Sequence, residues 1–222
     1  LEDGLVTVGI TNYPTIGDAV FFAPPGDTVA VCAGLWAEAL GVDRDVVLLG
    51  VAGAAATVID ATGLGVPVVD LANSVVATID GLTLTGGTSG VEVGQLGVLT
   101  MRHSVVTDNH SALSGGGITD ASQELAPMSL DLEDVEISYN TAAVHGGGIF
   151  LVAGSHTFAD VRLIGNEAGH AGGGIFLGNT GPTTITGSTF HANLASSVAG
   201  IEQGGAFFMN VAAGAVTVVD SD

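Results

Sequence analysis

The second half of the chain repeats itself, and this repeat restricts the possible folds more than any other feature. Val135-Glu136-Ile137-Ser138-Tyr139-Asn140 is followed by Gly146-Gly147-Gly148-Ile149-Phe150-Leu151. Val161-Arg162-Leu163-Ile164-Gly165-Asn166 is followed by Gly172-Gly173-Gly174-Ile175-Phe176-Leu177. An earlier copy ends at Asn109 and runs on to Gly115-Gly116-Gly117-Ile118. A later one has Phe190-His191-Ala192-Asn193 and then Gly204-Gly205-Ala206-Phe207-Phe208-Met209. The steps between the asparagines are 31, 26 and 27 residues.

A unit this short cannot bury its own apolar face, but stacked copies can. Alternation in Leu130-Asp131-Leu132-Glu133 and Val161-Arg162-Leu163 has the strand period of two. Each unit therefore reads as a short strand, an Asn turn, a small-residue corner and another strand. Stacking sets Ile149 over Ile175 and Phe207, and Leu151 over Leu177 and Met209. Glycines at the corners (Gly148, Gly174, Gly205) allow positive φ or close backbone approach. Asparagine tolerates the left-handed region and can bond along a stack, so Asn109, Asn140, Asn166 and Asn193 form a stabilising ladder. Weaker strand signals continue upstream at 28–31, 46–49, 57–60, 66–71, 77–84 and 98–101. The expected fold is all-β: a parallel β-helix, or solenoid, of roughly seven coils at about 4.8 Å per coil, hence a rod about 34 Å long. Loop insertions fall at 119–128 and 194–203.

Composition narrows the function. The chain has 23 acidic residues against three Arg and no Lys, for a net charge of −20. A nucleic-acid partner needs a basic footprint, which this chain lacks. A P-loop needs a lysine. Anionic lipid would repel the surface, and no run of 18 apolar residues supports membrane insertion. Mean hydropathy of +0.57 argues against disorder. Cys32, the single cysteine, lies in the apolar run 29–33 and reads as a small buried hydrophobe. An acidic, Lys-free, thiol-poor chain fits an extracellular or cell-surface setting, or a saline one. It opens on Leu1, as expected after loss of a leader or for a piece of a longer protein.

The two ends differ. Thr15 followed by Asp18 resembles a capping box, and Ile16, Ala19, Val20 and Ala23 share a helical face. Pro24-Pro25-Gly26 stops the helix. Residues 1–26 are thus expected to form an N-terminal cap with a short capping helix over 15–23, and residues 27–222 the repeats. The C-terminal strand around Val216 and Val218 shows no cap: either the array continues past it, or another subunit covers it as an assembly edge, or Asp220 and Asp222 blunt it by charge. Pairing between copies there would be heterologous and non-closing, and would give fibres.

The segment Ala23-Pro24-Pro25-Gly26-Asp27-Thr28-Val29-Ala30-Val31-Cys32-Ala33-Gly34 resembles the opening of right-handed parallel β-helix proteins of the pectate-lyase-like superfamily. The Gly-Gly-Gly-Ile and Phe-x-x-Asn elements resemble polymorphic outer-membrane protein repeats. The resemblance implies a right-handed coil and a secreted or surface-displayed protein, often an adhesin. It also implies the alternative of a polysaccharide lyase or glycoside hydrolase. Lyases of that kind use Ca²⁺ on carboxylates and a basic residue. Here Arg44 reads as part of an ion-paired Asp43-Arg44-Asp45 turn, and neither Arg102 nor Arg162 has a convergent acid set in sequence. The inverting hydrolases' Gly-His-Gly and Arg-Ile-Lys motifs are absent.

Other signals are weaker. Asp131, Glu133, Asp134 and Glu136 form the densest acidic cluster. They read as a solvated face, with Ca²⁺ binding as the alternative. The six histidines are out of phase with one another and form no column. Asn109-His110-Ser111 is a glycosylation sequon, but Asn109 also fits the ladder. Thr83, Thr85 and Thr88 hint at a flat threonine surface without recurring coil after coil. The leading expectation is a non-enzymatic structural or adhesion module whose partners are further copies of itself, other surface proteins or carbohydrate. An enzyme should instead show convergent acids, or an acid and an Arg, on neighbouring coils beside a groove.

Overall fold

The computed structural model describes residues 5–121, 127–196, 204–209 and 215–221. Parallel strands stack into three long sheets, and the chain visits each sheet once per coil. Among the described residues the long face has ten strands, and the second and third faces have seven each, so seven coils are complete in these faces. A coil runs, for example, Met128–Glu133 on the long face, Glu136–Ser138 on the second, and Ile149–Leu151 on the third. Val216–Val219 adds one further strand to the long face. From the fourth coil on, two-residue rungs such as Thr141–Ala142 build a short four-stranded sheet after the Asn turn.

Period-two patterning sets which side chains face inward. Val29, Leu48, Ile79, Met101, Leu132, Phe158, Ile185 and Val218 lie in register as one apolar column. All but the last are buried, while Val218 is 56% exposed. Ile149 over Ile175 over Phe207, and Leu151 over Leu177 over Met209, are likewise in register. The expectation of a buried stack fails at its last step, where Met209 is 47% exposed, because no described strand lies beyond it in the third face. Dense registered apolar columns are the main source of stability, at about 25 cal/mol per Å² buried.

The span 77–84, read as one strand, is two: Val76–Asp80 and Thr83–Thr85. Gly81 turns the chain between them with φ +68°. In later coils His103, Asp134, Asp160, Gly187 and Asp220 hold the same left-handed corner. Two early strands, Gly34–Trp36 and Leu40–Val42, carry no repeat signature in the sequence.

The capping helix spans Ile16–Phe22, with Thr15 accepting a bond from the Asp18 N–H at 3.0 Å. Glu38 from the first coil accepts the Ile16 and Gly17 N–H groups, both at 3.0 Å, tying the helix to the solenoid. Arg44 does more than pair with Asp43. Its guanidinium donates to the Phe21 carbonyl at 2.7 Å and covers the Phe21 ring. No residue pattern announces the hairpin Val6–Val8 and Thr11–Tyr13, whose first strand runs antiparallel to Thr28–Val31. Two antiparallel strands thus cover the edge of the long face, managing its unpaired backbone.

Candidate functional site

The Asn turns are built from the residue before each asparagine. Asp108, Tyr139, Gly165 and Ala192 take the left-handed backbone expected of the asparagines themselves. This turns each Asn side chain into the stack. Asn109, Asn140 and Asn166 are fully buried. Each donates from Nδ2 to the Oδ1 of the next, at 2.9, 3.1 and 2.9 Å, ending on Asn193. Each Nδ2 also reaches a main-chain carbonyl of the preceding coil, as Asn140 does to Val106 at 2.9 Å. Donors and acceptors are consumed within the ladder, which holds the coils and leaves little for a ligand.

Two different reasons place the glycines. The first of each triplet, such as Gly146 at φ +63°, needs the left-handed region. The third is pressed on the next coil: a Cβ on Gly148 would lie 2.6 Å from the Gly174 carbonyl oxygen. Gly205 does not continue the Gly148–Gly174 column. It follows Gly147 and Gly173, and Ala206 stands above Gly174. The offset arises because the last copy has only two glycines.

Asp131, Glu133, Asp134 and Glu136 do not assemble a Ca²⁺ site. They spread over the long face, a corner and the second face. Among the described residues no three His, Cys, Asp or Glu side chains gather to hold a metal. Two of these acids pair with arginines that sequence had left without partners, because only strand register brings them together. Arg102 Nε meets Glu133 at 3.1 Å, and Arg162 Nη2 meets Glu136 at 2.6 Å. At the same corner His103 Nδ1 lies 2.9 Å from Asp80, whose hydrogen bond holds the imidazole above its ordinary pKa. These exposed, mutually paired charges read as a cross-coil zipper.

The histidines are less scattered than their spacing suggests. The rings of His145 and His170 meet at 5.8 Å, and His145 stacks on Phe176 at 4.6 Å. Burial holds His145 below its ordinary pKa, with the neighbouring His170 adding to the effect. His156 is 3% exposed and lies in an inward column between Leu130 and Thr183. Neither of its ring nitrogens has a hydrogen bond of good geometry. Burial pushes its pKa down to about 4, against partial opposition from Asp120 and the Ala153 backbone.

The feature with most chemistry is an outward column on the third face that sequence reading passed over. Gly41, Asp70, Glu92, Thr119, Phe150, Phe176 and Phe208 stand in register, one per coil. The last three rings stack at 5.3 and 5.1 Å. Aligning the glycine corners would have found the upper half, since Thr119, Phe150, Phe176 and Phe208 each sit two residues past the triplet position. Asp70 and Glu92 precede the triplets and carry no such marker. Where the column changes from acid to aromatic, a groove of about 580 Å³ opens. Glu92, Ser111, Leu113, Ser114, Thr119 and Phe150 line it, and no Arg does. Burial raises the Glu92 carboxyl above its ordinary pKa, and the charge of Asp70 adds to this. Asp120, also at the groove, is buried and accepts the Val152 and Ala153 N–H groups, both at 3.1 Å.

The groove thus offers a carboxyl, hydroxyls and an aromatic surface, a set suited to holding a polyhydroxylated ligand. A family model described as right handed beta helix region matches residues 56–221. Among solved structures, an alginate lyase from Paenibacillus sp. str. FPU-7 aligns over 93% of this chain and 96% of its own. The identity is 9% and the TM-score 0.34, a likeness too slight to bear on activity. No curated protein matches the chain.

Proposed function

Because this chain belongs to the right-handed β-helix family, we propose that it is a non-enzymatic extracellular or cell-surface module for adhesion, with the third-face groove as its contact surface. One observation carries the reading: the groove lies where an in-register column passes from Glu92 through Thr119 to the Phe150 stack. Elsewhere the ladder amides and two of the arginines are spent on protein partners. The Lys-free composition and net charge of −20 support a setting outside the cell.

The test is affinity electrophoresis through gels containing neutral or uronic polysaccharides, with the products assayed for new reducing ends and unsaturated sugars. Retardation without products is expected. Product formation would replace this reading with a lyase or hydrolase. A specific observation favours that second reading: Asp70 and Glu92 are carboxylates on neighbouring coils in direct register. Paired carboxyls are the minimum for glycoside hydrolysis.

Self-association completes the proposal. Val216 and Val218 lie on the last strand of the long face among the described residues. A depression of about 400 Å³ there is lined by Ile185, Phe190, Phe207 and Val218. A further copy seated on that edge would bury this apolar lip.

A further inference from the structure

We propose that the groove over Thr119 seats one uncharged pyranose ring of a neutral glycan, stacked on Phe150 and hydrogen-bonded by Glu92. The inference rests on the adhesion reading and names its ligand. Phe208, Phe176 and Phe150 repeat a flat ring once per coil, at 5.1 and 5.3 Å. One coil further along, the column holds the small Thr119, and next comes Glu92. A place one ring thick is therefore left between an aromatic side chain and a carboxylate, within the groove of about 580 Å³.

A pyranose has the matching chemistry. Its C–H face is apolar and packs on an aromatic ring, while its equatorial hydroxyls donate to a carboxylate. Thr119 Oγ1 is already turned to the Ser114 carbonyl, and Ser111 Oγ donates to the same carbonyl. The Glu92 carboxyl makes no hydrogen bond among the described residues and is the natural acceptor. Charge selects within the sugars. With Glu92 and Asp70 on one side, no Arg in the lining and −20 on the chain, a uronate is repelled.

The test is an NMR titration of the folded protein with cellotriose, mannotriose and maltotriose, and with trigalacturonate as the charged control. At least one neutral trisaccharide should shift the amides of Glu92, Thr119 and Phe150, and trigalacturonate should not. Thr119→Phe, which extends the ring column into the seat, should abolish the shifts. Phe150→Ala should weaken binding by roughly ten-fold, and it decides the matter if the Thr119→Phe variant does not fold. Binding of trigalacturonate alone, or shifts from none of the four, overturns the proposal. The two readings fail separately. Polysaccharide retention that survives Thr119→Phe keeps the adhesion module and removes this seat. A neutral sugar that binds and is then cleaved keeps the seat and removes the non-enzymatic reading.

Discussion

Asn140 donates its side-chain amide to Asn166 Oδ1 at 3.1 Å, and that same oxygen accepts the Asn140 backbone N–H at 3.1 Å. One acceptor therefore fixes both the turn and the side chain of the coil beside it. Replacing Asn140 by Ala leaves buried donors and acceptors unmet on two neighbouring coils. The expected loss is about 3 kcal/mol, measured by urea denaturation followed by circular dichroism. Asn193→Ala, at the less buried end of the ladder, should cost less. Equal losses at both positions would remove the ladder as a cooperative device.

Stability should fall in mild acid because of His156. Its folded pKa of about 4 lies below the ordinary 6.5, so between these values the unfolded chain binds the extra proton. The His156 contribution to stability is full above pH 6.5, declines as the pH drops, and is lost by about pH 4. The total is roughly 3 kcal/mol. His156→Leu, which continues the apolar column from Leu130, should flatten this part of the pH profile relative to wild type. An unchanged slope would mean that carboxylates alone govern the acid limb.

Gly148→Ala should destabilise by about 3 kcal/mol through overpacking, since the added Cβ would lie 2.6 Å from the Gly174 oxygen. Ala206→Gly, at the matching place in the last copy, should change stability by well under half of that. Thermal melts of the two variants make the comparison directly.

The Arg162–Glu136 pair should matter little. Its side chains are partly exposed, so Arg162→Met should shift stability by less than about 1 kcal/mol. A much larger loss in denaturant titration would give this corner a role beyond a surface zipper.

Val218→Asp tests self-association. Sedimentation velocity should show wild-type species larger than one chain, and the variant should sediment as a monomer. A monomeric wild type would remove the edge from the proposed function.

How much was legible in advance varies by element. The Gly triplets and Asn turns announced a stacked repeat by recurring at near-equal spacing, and the first glycine of each triplet marks a corner locally, because a left-handed turn needs a residue that tolerates it. The helix was readable from Thr15, Asp18 and the Ile16-Ala19-Val20 face, which are local signals too. Early coils were harder, because Gly34–Trp36 and Leu40–Val42 are three residues each and their corners lack the triplet. The capping hairpin was invisible because antiparallel pairing of Val6–Val8 with Thr28–Val31 is a long-range choice.

Local pattern alone therefore settled that this chain is a β-solenoid of about seven turns, with a capping helix at one end. Register between coils decided everything that concerns a site. It paired Arg102 with Glu133, and it set Asp70, Glu92, Thr119 and Phe150 in one line. Those residues are separated by 22 to 31 positions, and loops of unequal length lie between them. A loop's length carries no information about which outward side chains end up one coil apart. Hydrogen bonding between strands does, because it admits one alignment that keeps the inward columns predominantly apolar.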